Sequence, residues 1–108
     1  MGYRSEVAFV IKKEAVMKML LKGHKFPSIF NEAEHDEFGE DADGYTFDSI
    51  KWYSNYAHIQ EAETYLDAID DIESFGFVRV GEEYGDTDAQ GSPHLFQFGP
   101  QTTIEFWE

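Results

Sequence analysis

The sequence contains no cysteine among its 108 residues, and basic residues are few, with eight Lys and Arg against 22 Asp and Glu. Without cysteine, disulfide bonds and thiolate metal sites are excluded, and a reducing cytosol is the simplest location. With a formal net charge of −14, the chain repels nucleic-acid phosphate, so direct binding to nucleic acid is not expected.

Long apolar runs are also missing. The longest, Val7 to Ile11, is strand-sized and falls far short of the roughly 18 residues that a membrane-spanning helix needs. Lys12 and Lys13 follow it directly, so we expect no secretory signal sequence. These features predict a cytosolic protein that does not associate with membranes.

The residues that are present suffice for one folded domain with an aromatic core. Hydrophobic residues make up 42% of the chain and aromatic residues 17%, with ten Phe, six Tyr and two Trp. A chain of this length is close to the usual size of a domain, so we assign residues 1–108 to a single one. The aromatic content separates the chain from disordered acidic tails.

Hydrophobic periodicity predicts the element order β-α-β-α-β-β-β. The first strand, residues 6–11, lacks polar alternation, which is typical of a strand covered on both faces. A helix over about 12–22 ends at Gly23, a preferred residue after a helix end, and a second helix over 57–73 carries a clear apolar stripe. The remaining strands are predicted at 45–53, 75–80, 95–98 and 102–107. Loops are predicted at 24–43, where one short turn or strand stays open, and at 82–91.

Two helices are too few to cover both faces of a sheet. We therefore predict an α+β fold, in which a mainly antiparallel sheet of four to five strands has both helices packed on one face. Within the strand predicted at 45–53, the alternation changes phase near Asp48 and Ser49. A β-bulge is the simplest explanation.

The negative charge is concentrated in the middle of the chain. Residues 1–30 have a net charge of +4, residues 31–91 of −16 and residues 92–108 of −2. This asymmetry makes the protein an electrostatic dipole that a basic partner surface would attract. The alternative, that the charge only keeps a small protein in solution, stays open.

The predicted second helix carries a row of carboxylates. Its members stand at i, i+4, i+7 and i+8: Glu63, Asp67, Asp70 and Asp71. On a helix they would form one stripe along about two turns, and four residues of the following segment could extend it: Glu82, Glu83, Asp86 and Asp88. Carboxylates spaced like duplex phosphates are what a DNA mimic needs to occupy a nucleic-acid-binding groove. These eight residues are the predicted partner-binding site, and the alternative is an ordinary solvated surface.

No catalytic residues, metal ligands or cofactor are predicted. The four histidines have no zinc spacing, and the segment from Gly39 to Gly44 resembles a calcium loop that lacks its first and last ligands. There is no Gly-rich phosphate loop and no nucleophile elbow, and the sequence does not select one desolvated carboxylate beside a solvated one. We therefore expect a non-enzymatic protein, and a small enzyme or metal-dependent module ranks last.

Three segments together carry a resemblance: residues 1–7 (Met-Gly-Tyr-Arg-Ser-Glu-Val), 50–53 (Ile-Lys-Trp-Tyr) and 77–83 (Phe-Val-Arg-Val-Gly-Glu-Glu). The chain resembles a group of short acidic proteins of tailed bacteriophages and prophages, mostly without an assigned function. The similarity spans most of the chain and is poorest in residues 24–43 and after Gly85. None of the segments is a catalytic motif, so the resemblance implies a phage accessory protein in the bacterial cytosol but no site residues.

The first hypothesis is therefore a phage-encoded inhibitor or modulator that binds a basic surface of a host protein. The favoured target is a nucleic-acid-handling defence complex, such as a CRISPR effector or a restriction enzyme, on which the protein would act partly as a DNA mimic. Such a protein would be a monomer or a homodimer. The second hypothesis is a structural or assembly protein of the virion that self-associates.

Overall fold

The computed structural model describes residues 3–38, 40–53, 55–83, 85–96, 98–100 and 104–106. The strands are β1 (Ser5–Lys12), β2 (Glu34–Phe38), β3 (Ala42–Ile50), β4 (Phe75–Gly81), β5 (Thr87–Gly91), β6 (Phe98–Pro100) and β7 (Ile104–Phe106). The helices are α1 (Lys13–Leu21) and α2 (Ala57–Asp67). Short 3-10 helices lie at Ser28–Glu32, Ile72–Ser74 and Pro93–Phe96.

In the part of the chain that the structure describes, five strands form an antiparallel sheet in the order β2-β3-β1-β4-β5. The central strand, β1, pairs with β3 on one side and with β4 on the other. Both helices supply buried residues to the apolar cluster over one face, Ala15 and Met19 from α1 and Ile59 and Leu66 from α2. The predicted α+β fold, with both helices on one face of an antiparallel sheet, is confirmed.

The central position of β1 explains its unbroken run of apolar residues. Alternate residues from Val7 to Ile11 belong to the cluster beneath the helices, while Ala8 and Val10 belong to a second cluster on the opposite face. Phe98 of β6 is part of that second cluster. β1 is therefore covered on both faces, as the absence of polar alternation predicts.

β3 contains the predicted β-bulge. Between Ser5 and Val7, β1 has one residue, and opposite it β3 has two, Asp48 and Ser49. An extra residue on one strand shifts the alternation by one position. The change of phase that is visible in the sequence therefore has the predicted cause, although the strand spans 42–50 rather than 45–53.

α1 ends as its sequence predicts. Gly23 follows the C-cap residue Lys22 and has a φ of 90°, a conformation that residues with a Cβ rarely adopt. The amide of His24 donates to the carbonyl of Met19 at 2.9 Å, and the amide of Gly23 donates to the carbonyl of Leu20 at 3.0 Å. These two bonds form a Schellman motif, which satisfies carbonyls at the end of the helix.

α2 is shorter than predicted. It ends at Asp67, whereas the periodicity predicts a helix to residue 73, so Asp70 and Asp71 lie outside it. Asp71 instead accepts a hydrogen bond from the amide of Glu73 at 2.9 Å and caps the 3-10 helix Ile72–Ser74. Short acidic side chains compete for backbone amides in this way, and carboxylates at a helix C-terminus oppose its dipole. The predicted stripe along successive helical turns is therefore wrong.

The two segments predicted as loops each contain a strand, which the sequence leaves open as an alternative for residues 24–43 alone. β2 lies within residues 24–43 and β5 within residues 82–91, and each forms one edge of the sheet. Both strands are rich in residues that strands seldom contain, such as Asp, Glu and Gly. Hydrogen bonds to β3 and β4 therefore define these strands, and residue propensity does not.

Of the last two predicted strands, one is displaced and the other is found within its predicted range. The strand predicted at 95–98 lies at 98–100, where it pairs as β6 with β7 at 104–106. Residues 102, 103 and 107 of the strand predicted at 102–107 lie outside the described residues. Residues 93–96 form a 3-10 helix that packs on β4. Proline favours the first position of a helical turn because its φ is fixed, which accounts for a turn that begins at Pro93.

Candidate protein-binding surface

The eight carboxylates predicted to bind a partner form two groups at opposite ends of β4. One group lies on and after the end of α2 and precedes β4: Glu63, Asp67, Asp70 and Asp71. The other group lies between β4 and β5 or at the start of β5: Glu82, Glu83, Asp86 and Asp88. The two groups approach each other at β5, because Asp67 accepts a hydrogen bond from Gln90, which lies two residues along that strand from Asp88. They do not form the single helical stripe that the sequence predicts, since Asp70 and Asp71 lie outside α2.

The carboxylates near the end of α2 are engaged within the protein. Asp67 accepts a hydrogen bond from a glutamine of β5 at 2.7 Å. Asp70 forms an ion pair with Lys22 at the end of α1, and the hydrogen bond from that ammonium lowers the pKa of Asp70. Asp71 caps a 3-10 helix, and Glu63 is half-buried. The ion pair with Lys22 neutralises Asp70, whereas Asp67 and Asp71 accept hydrogen bonds from uncharged donors, so this group presents less free charge than its number implies.

The second group surrounds Arg79 of β4. The guanidinium donates to Asp86 from Nη2 at 2.7 Å and to Asp88 from Nε at 2.8 Å. Its Nη1 donates to Ser5 Oγ of β1 at 2.9 Å, and Tyr3 Oη donates to Asp86 Oδ2 at 2.6 Å. We call these five residues the arginine clasp. The Arg79 side chain is only 12% exposed, so these bonds are less screened by solvent than ordinary surface ion pairs.

The arginine clasp ties the turn after β4 to the strand at the centre of the sheet. The hydroxyl of Tyr3 accepts a hydrogen bond from the amide of Glu83 at 2.8 Å. A Cβ at Gly81 would collide with the Asp86 carboxylate and with the Tyr3 hydroxyl, so this approach requires glycine. Of the second group, Glu82 and Glu83 remain exposed with no ion pair among the described residues.

The clasp makes stability depend on pH at both ends of the scale. Hydrogen bonds from Arg79 and from Tyr3 lower the pKa of Asp86, and the bond to Asp86 raises the pKa of Tyr3. The contribution of Asp86 is complete above its unfolded pKa of about 3.9 and is lost as the pH falls through its lower folded pKa. The contribution of Tyr3 is complete below about pH 10 and is lost as the pH rises through its higher folded pKa.

We expect Asp86→Asn to flatten the acid side of the stability profile. The wild-type protein should lose stability between about pH 4 and pH 2, and the variant should lose less, because its residue 86 no longer takes up a proton. Thermal unfolding followed by circular dichroism at a series of pH values measures the difference. Glu82→Gln is the matched control, and an equal flattening in that variant would contradict the role of the clasp.

Among the described residues, unpaired carboxylates are densest on β2 and in the residues that flank it. Residues 32–43, which we call the acidic hairpin, contain seven Asp and Glu and no Lys or Arg. Asp43 is paired with His35, whose Nε2 lies 2.9 Å from the Asp43 Oδ1. Five others have exposed side chains without a partner among the described residues: Glu32, Glu34, Glu37, Glu40 and Asp41. The acidic hairpin therefore has more free charge than either predicted group.

β2 is an edge strand as well as an acidic one. It pairs with β3 along one side, and no strand lies along its other side in the part of the chain that is described. The free amides and carbonyls of an edge can pair with an extended segment of another protein. Charged side chains restrict such pairing, so this edge would accept a basic segment and repel an acidic one.

The predicted site omits the acidic hairpin, although its charge density is visible in the sequence. Seven of twelve residues between 32 and 43 are Asp or Glu, and this density is the signal that could have identified the surface. The loop assignment hides it, because a loop gives its carboxylates no fixed spacing. In the structure, the pairing of β2 with β3 brings these residues together at one edge of the sheet.

Comparisons with protein-family models, with curated proteins and with solved structures give no match to this chain. None of the helices within the described residues has the length and the apolar character needed to cross a membrane. Within the same residues, His, Asp and Glu side chains form no group of three or more that could hold a metal ion. The geometry and charge of the surface are therefore the basis for proposing a function.

Proposed function

We propose that the protein is a non-enzymatic inhibitor or modulator that binds a basic surface of another protein through the acidic hairpin. The observation that carries this proposal is the set of exposed carboxylates in residues 32–43, at one edge of the sheet, that have no partner among the described residues. These five carboxylates form no ion pair with another described residue. A basic partner could therefore pair with them without breaking an existing contact. The other acidic groups would add long-range attraction and a faster encounter.

The acidic hairpin approaches the charge density of a nucleic acid. Residues 34–43 contain six Asp and Glu, and a five-residue strand such as β2 is about 17 Å long. The hairpin therefore has one negative charge per about 3 Å of strand, compared with one per about 1.7 Å of axis in duplex DNA. A groove that binds phosphates would accept this surface as a partial substitute, which supports partial DNA-mimic character.

The favoured partner is therefore a nucleic-acid-binding protein, while the chain itself, with a net charge of −14, would not bind nucleic acid. The resemblance to proteins of bacteriophages and prophages extends the proposal to a phage-encoded protein that acts in the cytosol of a bacterial host. In that setting a defence complex, such as a CRISPR effector or a restriction enzyme, would present the basic groove. The protein would act there as a monomer or a homodimer.

Salt dependence and competition with DNA test this proposal. Immobilised protein captures partners from a bacterial lysate, and the retained protein is then purified and titrated. We expect its affinity to fall at least tenfold between about 50 and 200 mM salt, in the manner of phosphate-binding sites. Duplex DNA should compete for the same site on the partner.

Two results would contradict the proposal. The first is that the retained protein does not bind nucleic acid, or that duplex DNA does not reduce its binding to the immobilised protein. The other is stable self-association of the protein or its presence in purified virions, which would favour the alternative of a structural or assembly protein. Sedimentation velocity and peptide analysis of virions distinguish this second case.

A further inference from the structure

The outer edge of β2 has backbone groups that no other described residue engages. β2 (Glu34–Phe38) is the first strand of the sheet and pairs with β3 alone. Among the described residues, its backbone makes no hydrogen bond except those to β3. Because the amides and carbonyls of a strand point to its two sides in alternation, about half of those in β2 point away from the sheet. An edge of this kind is the surface to which an extended segment adds as a further strand.

Exposed carboxylates lie on both faces of this edge. His35 is opposite Tyr45 in the pairing with β3, and Tyr45 packs against the apolar cluster beneath the helices. Because opposite residues share a face and successive residues alternate, His35 and Glu37 lie on the helix side of the sheet, and Glu34 lies on the other side. Glu34 and Glu37 are exposed and have no ion pair among the described residues. A strand added to β2 would therefore meet one carboxylate on each face, three residues apart.

The edge at the other end of the sheet differs in charge. β5 has one acidic residue, Asp88, and Arg79 already pairs with it at 2.8 Å. Gln90 of β5 donates a hydrogen bond to Asp67 at 2.7 Å. Of the two edge strands, β2 is therefore the one that offers unpaired carboxylates beside its open backbone.

We propose that β2 binds the basic partner by strand addition, in which an extended segment of the partner pairs along the outer edge of β2. The segment has Lys or Arg at positions i and i+3, which reach Glu34 on one face and Glu37 on the other. β2 has five residues, so the paired part of the segment is about 17 Å long. This inference rests on the proposed function, to which it adds the conformation of the partner's segment and the spacing of its basic residues.

Charge selects a basic segment of another protein over a second copy of the chain. Two β2 strands paired edge to edge would bring their carboxylates together, and like charges on opposite residues are destabilising. β5 of a second copy contains no Lys or Arg that would pair with Glu34 or Glu37. The net charge of −14 also opposes self-association, whereas it attracts a basic segment.

Three labelled nine-residue peptides test strand addition by fluorescence anisotropy at low salt. The parent peptide consists of Thr and Val with Arg at the third and sixth positions, so that its last two residues lie beyond β2 in either strand direction. A second peptide has N-methyl groups at the fourth and fifth positions, which remove one amide donor from each edge of the added strand. The third peptide is the matched control and has the same two groups at its last two positions. We expect the central groups to weaken binding about tenfold or more and the terminal groups to leave it nearly unchanged.

Amide hydrogen exchange measures the same contact on the protein. The parent peptide should slow the exchange of the outward amides of β2 about tenfold or more, because they become hydrogen-bonded, and should leave β5 unchanged. Glu34→Gln combined with Glu37→Gln should weaken binding of the parent peptide about 2- to 30-fold through the loss of two exposed ion pairs. Glu82→Gln combined with Glu83→Gln changes the net charge equally and should have a smaller effect.

Several outcomes overturn strand addition. These are equal binding of the three peptides, no binding of the parent peptide, or unchanged exchange in β2 when that peptide is bound. Slower exchange in β5 instead would assign the segment to the other edge, and a dimer with slower exchange in β2 would assign that edge to a second copy. If strand addition fails but neutralising the acidic hairpin still weakens binding of the captured partner, the proposed function stands and ion pairs alone form the contact. If the parent peptide adds to β2 but the captured partner does not bind nucleic acid, the proposed function fails instead.

Discussion

Neutralising four carboxylates of the acidic hairpin should weaken binding to the basic partner by about 10- to 100-fold. The variant replaces exposed side chains that have no partner among the described residues, with Gln for Glu and Asn for Asp: Glu34, Glu37, Glu40 and Asp41. An exposed ion pair contributes about 0.2–1 kcal/mol, and each 1.4 kcal/mol changes affinity about tenfold. Titration of the captured partner at low salt measures the loss.

A second variant with the same net charge is the control. It neutralises four carboxylates outside the acidic hairpin that are likewise exposed and unpaired among the described residues: Asp48, Glu73, Glu82 and Glu83. If the acidic hairpin is the contact, this variant should lose much less affinity than the first. Equal losses would mean that the partner responds to net charge alone, and the acidic hairpin would not be the binding surface.

Phe30→Ala should lower the free energy of unfolding by about 3–5 kcal/mol. Phe30 is fully buried, and its ring centroid lies 4.2 Å from that of Phe9 and 5.1 Å from that of Phe26. The 3-10 helix Ser28–Glu32 holds this ring over the sheet. Removal of the Phe30 ring leaves a cavity between β1 and the 3-10 helix, and the surrounding residues can fill that cavity only in part. Since domains are stabilised by about 5–15 kcal/mol in total, the change removes a large fraction of the stability.

Urea unfolding followed by tryptophan fluorescence measures the effect of Phe30→Ala. Leu95→Ala is the control, because Leu95 is 51% exposed and such substitutions usually change stability by no more than about 0.5 kcal/mol. A loss of less than about 1 kcal/mol for Phe30→Ala would show that the segment between α1 and β2 is not part of the core.

The elements that could be predicted correctly are those with strong local signals. β1 is a run of apolar residues, α1 ends at a glycine, and the bulge at Asp48 and Ser49 shows as a change of phase. β2 and β5 have no such signal, because Glu34–Phe38 and Thr87–Gly91 consist mainly of residues that disfavour strands. Their structure comes from hydrogen bonds to a neighbouring strand, which a local pattern does not contain.

The acidic character of the candidate site could be predicted from the sequence, but the residues that form it could not. The excess of Asp and Glu is visible in the sequence, and it correctly directs attention to an acidic protein with a concentrated charge. Which carboxylates are free depends on contacts between distant residues. Asp70 meets Lys22 across 48 positions, and Asp86 meets Tyr3 across 83. A count of acidic residues therefore overstates the free charge at both ends of β4.

The central place of β1 in the sheet has a consequence for synthesis on the ribosome. Gly81, the last residue of β4, is made 69 residues after Lys12, the last residue of β1. At about 5–20 residues per second, about 3–14 s pass before both neighbours of β1 exist. Both backbone edges of this apolar strand are open until β3 has been made, and one stays open until β4 has been made, which favours aggregation. The nascent chain should therefore depend on chaperones that shield Ser5–Lys12 until β3 and β4 have emerged.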